Sequence, residues 1–237
     1  MPQYDEIFAN EVRKSYTVGA NQDGGLETMN TNEIFERTSL TNKRMKDLFV
    51  AQFAKPADLE KINLSQLTPF HRALLVTDGT VTRFIEAYTL DPVEIVLLHQ
   101  EGQTLPSEHI WLELPAGAQV VARQVILQTQ QNGCEKPTVH TYATSLIVPH
   151  RLPKAIREGL EIEGEGLGRL LRGSGLETRR DLLWCGLERP NDLPEAIGHL
   201  KGHLFLSRAY RVVADGQPIM LINEKFPLGK AMSTRQP

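Results

Sequence analysis

Cysteine is almost missing from these 237 residues. Cys134 and Cys185 stand alone, without CxxC or zinc-ribbon spacing, so neither a disulfide framework nor a structural metal is indicated. That usage fits a reduced, cytoplasmic setting. Neither sign of charge is in excess. Twenty-six Lys plus Arg face twenty-nine Asp plus Glu, for a net charge of −3 with no long run of either sign. A protein that tracks a polyphosphate backbone needs a basic surface, so no nucleic-acid partner is expected. Long apolar runs are missing too, and none approaches the roughly 18 to 20 residues of a bilayer-spanning helix. The opening Met1-Pro2-Gln3-Tyr4-Asp5-Glu6 has neither a basic start nor an apolar core, so no membrane insertion and no secretory leader are expected. No repeat with a period of 20 to 50 residues recurs, which argues against a solenoid or propeller.

What is present divides the chain in two. Residues 1–55 are polar, with Asn21-Gln22-Asp23-Gly24-Gly25 and Asn30-Thr31-Asn32 diluting the apolar positions. They are expected to be an extension, partly helical or disordered, ahead of a domain at 56–237. Leu48, Phe49 and Phe53 recur at helical spacing, then Pro56 interrupts before Phe70, Leu74 and Leu75, which predicts two helical pieces. Asp78-Gly79-Thr80 breaks the second. Asp78 or Thr80 can cap a short helix carrying Val81, Phe84 and Ile85, whose first backbone amides would be donors without intrahelical partners.

Beyond that point the period becomes two. Alternating segments at 93–98, 120–130, 138–148, 177–187, 203–213 and 218–226 predict six strands. Asn132-Gly133 and Asp215-Gly216 mark tight turns, so the second and third strands, and the fifth and sixth, should form antiparallel hairpins. A helix is expected over 160–171. Six strands without regular βαβ alternation argue an α+β fold on an antiparallel sheet.

Two charges fall on apolar strand faces. Arg123 alternates with Val121, Val125 and Leu127, and a buried arginine requires an anionic or polar partner. Either it forms a structural salt bridge, or its planar fork receives a substrate carboxylate through two parallel hydrogen bonds. Glu224 alternates with Met220, Ile222 and Phe226. It either pairs with Arg123 and does nothing more, or faces a ligand, with a pKa raised by desolvation so that it can exchange a proton or accept a hydroxyl. The run Gly164-Glu165-Gly166-Leu167-Gly168 lacks the Lys-Ser/Thr of a P-loop, and offers a permissive turn or flap. His199 and His203 stand four apart without an HExxH frame, so no metal site is assigned. Ser174 lacks the GxSxG elbow.

Five short stretches, taken in order, resemble the chorismate pyruvate-lyase family. They are Leu74-Leu75-Val76-Thr77-Asp78-Gly79-Thr80-Val81-Thr82-Arg83-Phe84, Ala122-Arg123-Gln124-Val125-Ile126-Leu127, Leu167-Gly168-Arg169-Leu170-Leu171, Thr178-Arg179-Arg180-Asp181 and Ile222-Asn223-Glu224-Lys225-Phe226-Pro227. The resemblance covers residues 64–228. It implies a six-stranded antiparallel sheet whose flanking helices enclose a buried ligand site, and conversion of chorismate to 4-hydroxybenzoate and pyruvate with neither cofactor nor metal. It further implies that Arg123 holds the ring carboxylate and that Glu224 lies near the ring oxygen that becomes the product's hydroxyl. Thr80 and Leu167 would bind through backbone amides. Gly166 departs from the short members, which have proline there. The polar extension and a 189–202 insertion resemble the longer branch of cyanobacteria, algal plastids and mycobacteria. On that branch the product would supply plastoquinone or phenolic lipids; elsewhere it supplies ubiquinone. The alternative is a non-catalytic sensor of small carboxylates on the same fold, as in the ligand-binding domains of some bacterial transcription regulators. Against it, no helix-turn-helix with a basic recognition helix is legible. The sequence carries no signal for an oligomeric state.

Overall fold

Two three-stranded meanders make the central sheet. A computed structural model describes residues 43, 47–130, 136–160, 171 and 173–228. Its strands are β1 (Val93–Thr104), β2 (Gln119–Thr129), β3 (Thr138–Ile147), β4 (Arg179–Glu188), β5 (Phe205–Ala214) and β6 (Gln217–Pro227). They lie in the order β1-β2-β3-β6-β5-β4, with every neighbouring pair antiparallel. The halves of the sheet meet where β3 pairs with β6. This is the α+β, six-stranded antiparallel fold that the alternation predicts.

Local chemistry sets the connections. Asp215 and Gly216 both have positive φ, 49° and 76°, which gives the two-residue turn whose twist matches that of the flanking strands. The Asn132-Gly133 turn lies outside the described residues; β2 and β3 pair antiparallel, with Thr129 opposite Thr138. β1 runs well past the predicted 93–98. A bulge between Leu97 and His99 shifts the register and the strand continues through polar residues to Thr104, where no apolar alternation signals it.

Helix α1 (Pro69–Val76) starts with Pro69 at its first position and with the Thr68 hydroxyl accepting from the His71 amide at 3.3 Å. Helix α2 (Val81–Thr89) follows, with Thr80 at its N-cap, and turns its buried Val81 and Ile85 inward. Helix α3 (Lys154–Leu160) precedes the segment for which a helix is predicted at 160–171. That segment, with its Gly164–168 run, lies outside the described residues except at its ends.

The helix expected around Leu48, Phe49 and Phe53 is not formed. Only a 3-10 turn at Gln52–Ala54 occurs there, and Phe53 is 88% exposed. The backbone instead adds to the sheet edge: the amides of Val50 and Ala51 donate to the carbonyls of Leu182 and Leu183 on β4, both at 2.9 Å. Tertiary pairing thus overrides the helical period, and residues from Asp47 onward form one compact unit.

Both faces of the sheet are covered. On one, Ile126, Tyr142 and Phe205 pack with Ile197 and Leu200 of the 3-10 segment Glu195–Leu200, which anchors the 189–202 insertion to the sheet. On the same side Leu183, Trp184 and Ala209 meet Ala51 and Leu59, and Trp111 sits edge-on to Trp184. The opposite face carries the charges.

Candidate active site

The register decides which side chains share the charged face. Arg123 pairs with Ser145, Ser145 with Ile222 and Ile222 with Tyr210; two residues along, Val125 pairs with Ala143, Ala143 with Glu224 and Glu224 with Arg208. Side chains two apart on a strand point the same way, so these two rungs face one cavity. Arg123 and Glu224 lie two strands and one rung apart, which strand spacing converts to about 12 Å between their Cα atoms. The apolar walls are Ile95, Val125, Leu127, Leu171, Val212 and Ile222, and the residues of the 79–82 turn that opens α2 complete the enclosure.

Arg123 is 2% exposed and lines this cavity. Its Nη1 donates to Oε1 of Gln100, which the extended part of β1 brings across. Burial pulls its guanidinium below the ordinary arginine value, yet the group stays a cation. It is not bonded to Glu224 through the pairing that the sequence left open. Glu224 is paired instead with Arg208.

That pair is the best-buried charge arrangement on the sheet. Arg208 has no exposed surface; its Nε donates to Glu224 Oε2 at 2.8 Å and its Nη2 lies 2.8 Å from the same oxygen. Its Nη1 donates to the carbonyls of Leu75, at 3.1 Å, and Thr77, at 2.8 Å, beyond the last turn of α1. One guanidinium therefore fixes both the Glu224 carboxylate and the chain leading into the 79–82 turn. The Tyr210 hydroxyl donates to Glu224 Oε1 at 3.1 Å. Burial, reinforced by the Glu224 charge, pushes the Tyr210 phenol well above its ordinary value, so it remains a donor. Glu224 thus accepts on both oxygens, and a carboxylate has room for about four hydrogen bonds, which leaves capacity for a ligand hydroxyl.

Sequence reasoning passed over Arg208, although the signal was present. Leu206, Arg208, Tyr210 and Val212 alternate on β5 as Val121, Arg123, Val125 and Leu127 do on β2. Arg180, on β4, also lines the cavity, and its Nη1 donates to the Asp78 carbonyl at 2.6 Å. Thr80 lines the cavity at the start of α2, where its carbonyl accepts from the amides of Arg83, at 3.1 Å, and Phe84, at 3.3 Å. Leu167 lies outside the described residues. Among the described residues no group of three His, Cys, Asp or Glu side chains gathers as a metal site, and no helix is long and apolar enough to cross a membrane.

Residues 75–234 match the family model described as chorismate pyruvate-lyase Rv2949c-like. A curated chorismate pyruvate-lyase of Mycobacterium tuberculosis (strain ATCC 25618 / H37Rv) is 30% identical over 167 residues, spanning 65% of this chain and 78% of that protein. The chorismate pyruvate-lyase of Mycobacterium leprae (strain TN) is 27% identical over 162 residues, 65% of this chain and 72% of that one. Among solved structures, PhnF from Mycobacterium smegmatis aligns over 92% of this chain and 93% of its own, at 13% identity and a TM-score of 0.48.

Proposed function

The chain belongs to the Rv2949c-like chorismate pyruvate-lyase family, and from that premise we propose that it converts chorismate to 4-hydroxybenzoate and pyruvate in the cavity described above. The observation that carries this reading is the convergence of Arg123, Glu224 and the 79–82 turn on one cavity with apolar walls. These are segments far apart in the chain.

The chemistry asks little of the protein. The ring C–O bond to the enolpyruvyl group breaks, the ring loses a proton and becomes aromatic, and the departing enolpyruvate takes up a proton to become pyruvate. The aromatic product supplies most of the driving force. What the site contributes is orientation, exclusion of water and fixed charges around a dianion. In this reading Arg123, oriented by Gln100, takes the ring carboxylate as a two-point clamp. Glu224 accepts a hydrogen bond from the ring hydroxyl that becomes the phenol. Arg208 and Tyr210 hold that carboxylate in place without touching the ring. Backbone amides at Thr80 and Leu167 complete the contacts, and the product enters the synthesis of a quinone or phenolic-lipid head group in the cytoplasm.

The test is incubation of the purified full chain with chorismate, without added metal or cofactor, and quantification of both products. Equal amounts of 4-hydroxybenzoate and pyruvate are expected. Arg123→Ala should weaken 4-hydroxybenzoate binding by roughly a hundredfold or more, the consequence of uncoupling a buried charge pair at about 3 to 5 kcal/mol. Binding of 4-hydroxybenzoate without turnover would turn the assignment to a sensor of small carboxylates. Unchanged affinity in Arg123→Ala would overturn the role given to that arginine.

A further inference from the structure

Arg180 enters the cavity from the far side of the sheet and is not used by the chemistry above. Its rung runs through Val212 to Met220, one step from the rung of Arg123. Four strand spacings separate β4 from β2, about 19 Å between backbones. The two arginines line the same cavity, Arg180 from the edge strand β4 and Arg123 from β2 inside the sheet, and β6, which carries Glu224, runs between their strands.

The hydrogen bonding of Arg180 is incomplete in a telling way. Nη1 donates to the Asp78 carbonyl, but Nε is buried and has no hydrogen-bond partner. The carboxylate next in the chain is already engaged: Asp181 pairs with Arg179 at 2.7 Å and with Arg211 at 3.0 Å. Buried donors are nearly always satisfied, and one that is not marks a place for an acceptor. The Nε and a neighbouring Nη of a guanidinium can donate together to one carboxylate as a fork.

We propose that Arg180 receives the second carboxylate of the substrate, the one on the enolpyruvyl side chain, while Arg123 holds the carboxylate on the ring. The inference rests on the lyase reading above. It gives the site a means to distinguish substrate from product, since chorismate carries both carboxylates, 4-hydroxybenzoate keeps only the ring carboxylate, and the other leaves with pyruvate. Arg180 then contributes to holding the side chain before the ether bond breaks and contributes nothing to retention of the aromatic product.

The experiment compares Arg180→Gln with the parent full chain, and reads kcat/KM for chorismate, the dissociation constants of chorismate and 4-hydroxybenzoate, and the melting temperature. Glutamine keeps a donor for Asp78 and removes the charge. Chorismate affinity and kcat/KM are expected to fall about ten- to hundredfold, as for loss of a charge-assisted fork, with 4-hydroxybenzoate affinity within twofold of the parent. Arg123→Ala weakens both ligands. Equal losses for both ligands in Arg180→Gln, or no loss for chorismate, would overturn the proposal, the first by assigning Arg180 to the tether of the 79–82 turn. Arg180→Lys covers a glutamine variant that does not fold: it keeps the charge without the fork, and should lose part of the chorismate affinity and none of the 4-hydroxybenzoate affinity. If the parent binds chorismate but makes no product, the lyase reading fails and the two dissociation constants still decide the role of Arg180. If it binds no chorismate, both fail.

Discussion

Replacing Arg208 by methionine removes the most heavily bonded charge among the described residues, and the cost can be built from its contacts. Arg208→Met strands the Glu224 carboxylate, itself only 6% exposed, and uncoupling a buried pair costs about 3 to 5 kcal/mol. The carbonyls of Leu75 and Thr77 lose their donor as well, at a net of roughly 1 kcal/mol each. The sum, about 5 to 7 kcal/mol, is comparable with the whole stability of an ordinary domain at roughly 5 to 15 kcal/mol. For a unit of this size it corresponds to a fall of roughly 10 to 25 °C in the melting temperature. Adding Glu224→Met should return about half of the loss, because no buried charge is then left alone, while the two carbonyls stay without their donor. Urea denaturation followed by the fluorescence of Trp111 and Trp184 measures all three proteins. A single variant within 1 kcal/mol of the parent, or a double variant no more stable than the single, would refute the pairing as the source of the stability.

Acid and packing give two further tests. Burial holds His71, His109 and His140 below the ordinary histidine value of 6.5, so between that value and their lowered native values the unfolded chain binds more protons. Their contribution is complete above about pH 6.5 and is lost as the pH falls through the native values. The urea midpoint should drop between pH 7.5 and 5.5, and less so in His140→Gln; equal midpoints would contradict this. Asp181, whose carboxyl is held low by Arg179, acts in the same direction only at about pH 4 and below. At Gly186 an added methyl would meet Leu59 Cβ at 2.7 Å and the Glu60 carbonyl at 3.0 Å, where Glu60 and Leu187 exchange backbone hydrogen bonds. Gly186→Ala should cost about 1 to 3 kcal/mol by overpacking, read as a lower melting temperature.

The strands and the site's two odd charges were legible because both announce themselves locally. Alternation marks a half-buried strand, and Arg123 and Glu224 break that alternation with charge. What was not legible depends on partners distant in sequence. The second half of β1 carries His99, Gln100 and Glu101 with no apolar rhythm, and it exists because β2 supplies the ladder; Gln100, which orients Arg123, was missed with it. The 48–53 segment shows a helical period and forms an edge attachment to β4. Arg208 has a local signal as plain as that of Arg123, but its assignment as partner of Glu224 follows from the β5–β6 register, which the turn at Asp215-Gly216 sets only together with a bulge between Val212 and Val213; the turn alone would place Arg208 opposite Asn223.

The seam between β3 and β6 bears on how the site comes into being. Arg123 and Gln100 belong to the first meander, and Arg180, Arg208, Tyr210 and Glu224 to the second. Each meander is held by local hairpin pairing, whereas the β3–β6 ladder closes a loop of some seventy residues, the slowest kind of contact for a chain to make. Neither half alone supplies both arginines of the proposed dicarboxylate site. Ligand capture during refolding would therefore clock the docking of the two halves rather than the formation of either, and ligand present in excess would act chiefly as a brake on their parting.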